Sequence, residues 1–171
     1  MLEKLKTREF LNSTYFKEIY ELLHSKELQE FLEKKQYKLE FKLHPIFKEY
    51  TNLFDLKKVK NIEINFNKTI IEEYKIFITD FSSFQFDFVK LKKPIIYFVP
   101  DMSEFKAGLH TYRELDAFGK LCLDSKDLLK EIKRIDKNNC SVDKKYLNRM
   151  DKFFVEIKNP CEVIYNEIKK A

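Results

Sequence analysis

The sequence predicts an α/β domain with a mainly parallel sheet. Short apolar runs alternate with segments whose apolar residues recur at helical spacing, which is the order expected of strands joined by helices. The runs at 76–78 and 94–99 are continuously apolar, as is typical of strands covered on both faces. A chain of 171 residues, 44% of them hydrophobic, suffices for one domain with a core. We therefore expect one domain over 1–171, with C-terminal helices in 142–171 packing on it.

The first predicted element is a helix over residues 13–35. Its apolar side chains recur three or four positions apart, and Ser13 is a suitable N-cap. Ser25 offers a second cap, so the alternative is two helices divided there. Residues 37–43 then alternate between apolar and polar, which predicts a strand, and Pro45 ends it because proline cannot donate to a sheet ladder.

The remaining elements follow the same alternation. Strands are predicted at 59–66, 76–78, 94–99 and 120–123, and helices at 69–74, 84–91, 126–135, 142–156 and 160–170. Asp124 or Ser125 can cap the helix that begins at 126. The least regular segment, 100–119, contains both glycines, and loops that follow strands carry the ligand site in such folds.

Composition excludes several classes of protein. The 33 basic and 28 acidic residues give a net charge of +5, spread along the chain, which argues against a nucleic-acid binder and fits an anionic small ligand or an anionic membrane surface. With 2 glycines the chain cannot form a glycine-rich nucleotide loop. The three cysteines lack metal-ligand spacing, which predicts reduced thiols. No apolar run reaches the roughly 18–20 residues of a transmembrane helix, and no signal sequence is present, so we expect a cytoplasmic protein.

Two strand ends carry the candidate chemistry. Lys42 and His44 leave the 37–43 strand, and a histidine there can serve as an acid, a base or a cation facing phosphate. The alternative is a surface histidine beside a turn proline.

The second strand end runs from Asp80 to Ser83 and opens a helix. Backbone N–H groups at a helix start, joined by the hydroxyls of Ser82 and Ser83, can surround a phosphate. Asp87, one turn inside the helix, can accept hydrogen bonds from ligand hydroxyls. The alternative is an ordinary cap formed by Asp80 or Ser82.

Weaker candidates are His24, expected at the surface, and His110, in the irregular segment. A loose scatter of acidic residues makes a poor metal site, so no metal is predicted. Its members are Asp101, Glu104, Glu114 and Asp116.

Several motifs in order match a known family. They are FLNSTYF at 10–16, KLHP at 42–45, ITDFSS at 78–83 with FD at 86–87, KPIIY at 93–97, and a tail over 146–164. Over residues 8–170 the chain resembles the C-terminal part of the CDP-glycerol:poly(glycerophosphate) glycerophosphotransferase family, which builds teichoic-acid-type and capsular polymers.

The resemblance implies a Rossmann-like domain, the C-terminal half of a GT-B glycosyltransferase, which binds CDP-glycerol without a metal or other cofactor. It places Lys42 and His44 at the donor phosphates, with His44 catalytic. Ser82 and Ser83 would hold the pyrophosphate, and Asp87 and Asp80 would help to bind the donor. It further implies a lipid-linked polymer as acceptor, at the inner face of the cell membrane.

The departures from the family pattern are also informative. The family's catalytic base histidine lies in an N-terminal domain, and the first strand of the C-terminal domain has no counterpart here. We therefore expect a fragment, from a split gene, a degraded gene or a deliberately excised piece, that needs a partner N-terminal domain. An expected arginine is replaced within KAGLH at 106–110, so its phosphate contact would either pass to Lys106 or Arg113 or be absent. Two alternatives stay open: a non-catalytic nucleotide-binding or interaction fragment, and the donor half of a nucleotide-sugar glycosyltransferase.

Overall fold

The structure, a computed structural model, describes residues 8–43, 45–66, 70–80, 82–101, 116–154 and 158–170, with the backbone alone at 45–47. Strands and helices alternate along it. The strands are β1 (Leu39–Phe41), β2 (Ile62–Ile64), β3 (Phe77–Thr79), β4 (Ile95–Phe98) and β5 (Gly119–Cys122). The helices are α1 (Thr14–His24), α2 (Lys26–Lys35), α3 (Gln85–Lys90), α4 (Ser125–Lys137), α5 (Lys144–Phe153) and α6 (Pro160–Lys170).

Every strand pair in the described residues is parallel, which confirms the predicted architecture. β1 pairs with β2, with Leu39 opposite Ile62. β4 lies between β3 and β5, with Ile95 opposite both Phe77 and Gly119. The strands are shorter than predicted at 37–43 and 59–66, where pairing covers three residues on each strand.

Two helices replace the single predicted helix over 13–35. The Ser13 hydroxyl accepts the Phe16 N–H at 3.1 Å, and the Ser25 hydroxyl accepts the Leu28 N–H at 3.3 Å. Ser25 therefore ends α1 and caps α2, because an extended residue with a side-chain acceptor satisfies the free amides of a new helix.

Three described segments form 3₁₀ helix: Pro45–Phe54, Leu56–Lys58 and Ile71–Glu73. Pro45–Phe54, for which the sequence predicted no element, is 3₁₀, and Phe54 at its end is completely buried against Phe16, at 4.9 Å between ring centroids, and Phe41, at 5.0 Å. The predicted helix at 69–74 is one 3₁₀ turn, Ile71–Glu73. The predicted short helix is thus a single turn of the 3₁₀ type, which is common in such short segments.

The core lies on both faces of the three-stranded sheet. Ile96 and Phe98 of β4 pack with α1, α2 and α4, whereas Ile95 and Tyr97 pack on the opposite face with α3 and α5. Side chains alternate between the two faces of a strand. The continuous apolar run therefore reflects cover on both sides, as predicted.

The last two helices differ in burial. α5 buries Tyr146 and Met150, and none of the residues of α6 is buried. Cys122, Cys140 and Cys161 are free thiols, in agreement with the sequence. None of the helices in the described ranges is long and apolar enough to cross a membrane.

Gly119 allows β5 to approach β4. A Cβ atom placed on Gly119 would lie 1.8 Å from the backbone oxygen of Ile95, so Gly119→Ala forces the two strands apart. We expect the free energy of unfolding to fall by about 2–4 kcal/mol, seen as a lower urea midpoint. An unchanged midpoint would contradict this close approach.

Asp136 links α2, α4 and the start of β1. It accepts from the Tyr37 hydroxyl at 2.9 Å and lies 2.7 Å from the Lys35 ammonium. The hydrogen bond from Lys35 lowers the pKa of Asp136, with a further contribution from Tyr37. Since a lowered pKa stabilises the fold above the ordinary value of about 3.9, this contribution is present at neutral pH and is lost as the pH falls through the folded-state pKa.

Asp136→Asn tests that linkage. We expect a loss of about 1 kcal/mol at pH 7, a small value because Lys35 is 41% exposed and solvent screens its charge. Urea unfolding of both proteins from pH 7 to pH 3 should show the difference shrinking below pH 4. A difference independent of pH would mean that the carboxylate charge is not the cause.

Candidate functional site

The candidate site lies at the edge of the sheet where the strands end. Parallel strands carry their carboxyl ends to the same edge. Asp80 follows β3, and Asp101 follows β4 after Val99 and Pro100, with β3 and β4 paired directly. Lys42 follows β1. Polar side chains predicted from separate motifs therefore leave the carboxyl ends of their strands.

A hydrogen-bonded turn connects β3 to α3. The buried Thr79 accepts the Ser82 N–H on its hydroxyl at 3.0 Å, and the Ser82 hydroxyl accepts the Phe84 N–H at 3.3 Å. Ser82 and Ser83 are both exposed. The two predicted serines are therefore adjacent, exposed residues of this turn, and the hydrogen bond to Thr79 fixes the backbone at Ser82.

The start of α3 differs from the prediction in one respect. The N–H groups of Gln85, Phe86 and Asp87 donate to carbonyls three residues earlier, at 3.1, 3.1 and 3.3 Å. These amides are therefore already engaged. Ligand binding at this turn then depends on the serine side chains more than on free helix amides.

The cap of α3 also differs from both suggested residues. α3 begins at Gln85, and the hydroxyl of Ser82 bonds Phe84, the residue before the helix. Asp80 faces Tyr15 instead, at 3.5 Å from its hydroxyl. Asp87 lies in the first turn and is exposed, so it is accessible to a ligand.

Tyr97 holds the start of α3 from inside the protein. Its buried hydroxyl donates to the Gln85 side-chain oxygen at 2.5 Å and accepts the Phe118 N–H at 3.4 Å. This connects the turn to β4 and to the segment that enters β5. The orientation of the serine turn is thereby tied to the sheet.

Lys42 lies beside an acidic residue on its own strand. Its ammonium is 2.9 Å from the Glu40 carboxylate, which also accepts a hydrogen bond from the Tyr74 hydroxyl. Burial raises the pKa of Glu40, but the hydrogen bonds from Tyr74, Lys42 and Asn65 outweigh it, and the net pKa is lowered. Burial, and then the hydrogen bond to Glu40, raise the pKa of Tyr74 to about 12. Glu40 is therefore a charged carboxylate already paired with Lys42. An anionic ligand would compete with Glu40 for the positive charge of Lys42.

Several predicted residues fall outside the described part of the chain. They are His44, Lys106, His110 and Arg113. Among the described residues, no group of three or more histidine, cysteine or acidic side chains could hold a metal ion.

Three residues were not assigned a role from the sequence: Tyr15, which reaches the carboxyl edge, Glu40 on β1, and Lys93, which lies at the amino end of β4. Lys93 donates to the carbonyls of Ile71 at 2.9 Å, Glu72 at 2.5 Å and Tyr74 at 2.5 Å. The lysine of the KP motif is therefore a structural anchor for the 3₁₀ turn that precedes β3. In the sequence, this role could have been inferred only from the position of Lys93 directly before a buried strand.

Comparison with known proteins identifies the family of this chain. The model of the family described as CDP-Glycerol:Poly(glycerophosphate) glycerophosphotransferase matches residues 8–169. The chain belongs to this family. The match spans the serine turn, Lys42 and the KP motif together.

Relatives of this family member act in teichoic acid synthesis according to their names. The chain is 33% identical to the minor teichoic acid biosynthesis protein GgaB of Bacillus subtilis (strain 168), over 93% of this chain and 18% of that protein. It is 30% identical to the teichoic acid poly(glycerol phosphate) polymerase of the same strain, over 69% of this chain and 17% of that protein. It is 32% identical to the teichoic acid glycerol-phosphate primase of Bacillus spizizenii (strain ATCC 23059 / NRRL B-14472 / W23), over 70% of this chain and 32% of that protein.

The aligned region therefore covers less than a third of each of these relatives. No solved structure matches the chain significantly.

Lys93→Met tests the anchor. The substitution keeps the aliphatic stem and removes three hydrogen bonds to carbonyls, so we expect a loss of about 2–3 kcal/mol in the free energy of unfolding. Lys92→Met is the matched control, because Lys92 is 57% exposed and pairs with Asp151 at the surface, where an ion pair contributes under about 1 kcal/mol. Equal losses in the two variants would show that the carbonyl contacts add nothing.

Proposed function

We propose that this chain binds the donor in an enzyme that transfers glycerol phosphate from CDP-glycerol to a teichoic-acid-like polymer. The family match over residues 8–169 is the observation that carries the proposal. The exposed Ser82–Ser83 turn, at the carboxyl end of a parallel strand, supports it because nucleotides bind at this edge in α/β folds.

The proposed chemistry is a phosphoryl transfer. The acceptor hydroxyl attacks the β-phosphorus of CDP-glycerol, a new P–O bond forms, and the bond to the bridging oxygen breaks so that CMP leaves. The hydroxyl proton passes to a base, which in the family pattern is a histidine of an N-terminal domain. Negative charge grows on the bridging oxygen, and donors aimed at that position stabilise the transition state.

Within this proposal each site residue is assigned a role. Ser82 and Ser83 donate hydroxyl hydrogen bonds to the pyrophosphate, and Lys42 supplies a positive charge once a phosphate competes with Glu40 for it. Asp87 and Asp80, both exposed, accept from donor hydroxyls. His44 is assigned to the leaving phosphate by motif match, and no metal takes part.

The wider setting is part of the same proposal. The acceptor is a lipid-linked polymer at the inner face of the cell membrane, and an N-terminal domain completes a GT-B arrangement. The names of the relatives, a polymerase and a primase of teichoic acid, support a polymer acceptor.

Calorimetric titration of the purified chain tests donor binding, using CDP-glycerol with CDP and UDP-glucose for comparison. We expect binding selective for cytidine nucleotides. Ser83→Ala and His44→Ala should each weaken it by about 1–3 kcal/mol, the scale of a hydrogen bond to a charged group. Ser141→Ala is the control, since Ser141 is an exposed serine in the loop before α5.

Two results would contradict the proposal. A folded chain that binds no nucleotide would favour a non-catalytic interaction fragment. Equal affinity for UDP-glucose and CDP-glycerol would favour the donor half of a nucleotide-sugar glycosyltransferase.

A further inference from the structure

Tyr15 of α1 reaches the carboxyl edge of the three-stranded sheet. Its phenolic oxygen lies 3.5 Å from the Asp80 carboxylate. Asp101 follows β4, the strand paired with β3, and its charge raises the pKa of the same phenol. The Tyr15 hydroxyl therefore meets the Asp80 carboxylate beside the serine turn, with a second carboxylate at the end of the adjacent strand.

The fold holds Tyr15 in this position. Ser13 caps α1 and fixes its first turn. Phe16, the residue after Tyr15, is buried in the core against Phe54. Tyr15 itself is half-buried, so its ring lies against the protein while its hydroxyl reaches Asp80. The position of the phenol thus follows from the packing of α1 on the sheet.

The phenol is a hydrogen-bond donor over the physiological pH range. Burial raises the pKa of Tyr15, and the charges of Asp80 and Asp101 raise it further. The 3.5 Å distance to Asp80 exceeds the 2.7–2.8 Å or so of a typical O–H···O bond. A ligand oxygen that approaches more closely can therefore take this hydrogen bond.

The two carboxylates restrict which part of a donor can lie here. Each repels a phosphate group, because like charges near a protein surface interact at several kcal/mol when they are about 4 Å apart. Each also accepts hydrogen bonds from alcohol hydroxyls. The surface near Tyr15 therefore favours a neutral, hydroxyl-bearing part of the ligand and directs the phosphates toward Ser82, Ser83 and Lys42.

We propose that Tyr15, Asp80 and Asp101 form a subsite that binds hydroxyl groups of the nucleotide donor, with Tyr15 donating and the aspartates accepting. This inference rests on the proposed function, since it assigns part of the same donor site. The hydroxyls belong either to the glycerol or to the ribose of the donor, which share this chemistry.

The test compares three ligands and three variants by calorimetry. The ligands are CDP-glycerol, CDP without the glycerol, and 2′,3′-dideoxy-CDP without the ribose hydroxyls. The variants are Tyr15→Phe, Asp80→Asn and the control Tyr20→Phe. Tyr20 is a suitable control because it lies on the same helix as Tyr15, and its ring stacks on His24. Thermal melting of each variant reports whether the fold is intact.

We expect Tyr15→Phe and Asp80→Asn to weaken CDP-glycerol binding about tenfold, and Tyr20→Phe to leave it unchanged. If the hydroxyls are those of glycerol, the affinity for CDP is unaffected. If they are those of ribose, the affinity for CDP falls as well, and that for 2′,3′-dideoxy-CDP does not.

Other outcomes overturn the inference. If both site variants bind every ligand as the wild type does, the proposed subsite is wrong, while the proposed function is not contradicted. Equal weakening for all three ligands would mean contact with the base or phosphates rather than with hydroxyls. If the wild-type chain binds none of the ligands, the proposed function and this inference fail together.

Discussion

Strand β4 has no solvent-facing side, and the arrangement of the other elements depends on this constraint. Ile96 and Phe98 pack beneath α1, α2 and α4, while Ile95 and Tyr97 pack against α3 and α5. Each fully buried side chain of this size contributes about 1.5–3 kcal/mol. Parallel neighbours satisfy its backbone on both edges, and the close approach of Gly119 keeps β5 in contact with it.

The same strand positions the candidate site. The Tyr97 hydroxyl reaches Gln85 at the start of α3, and Lys93, two residues before β4, binds the carbonyls of the 3₁₀ turn that leads into β3. Residues in or beside β4 therefore hold the start of α3, which follows the serine turn, and the turn that precedes β3. A ligand site on a connecting turn needs such support, because loops are otherwise the mobile part of a fold.

The polar residues at the sheet edge differ in what they can bind. Ser82 and Ser83 present exposed hydroxyls, whereas the hydroxyl of Tyr15 faces the Asp80 carboxylate and also feels the charge of Asp101. Lys42 is paired with Glu40. The proposed donor, a diphosphate with a polyol at one end and a nucleoside at the other, would need such a division between groups that bind anions and groups that bind hydroxyls.

Local patterns in the sequence determined the order of elements, the caps at Ser13 and Asp124, and the cover on both faces of β4, because periodicity and capping depend on residues a few positions apart. They also placed Ser82, Ser83 and Asp80 after a strand. The extent of β1 and β2, the 3₁₀ path of Pro45–Phe54 and the start of α3 were decided by tertiary packing. So was the meeting of Tyr15 with Asp80, which lie 65 residues apart. Such contacts follow from how helices pack on the sheet, and no short stretch of sequence records that geometry.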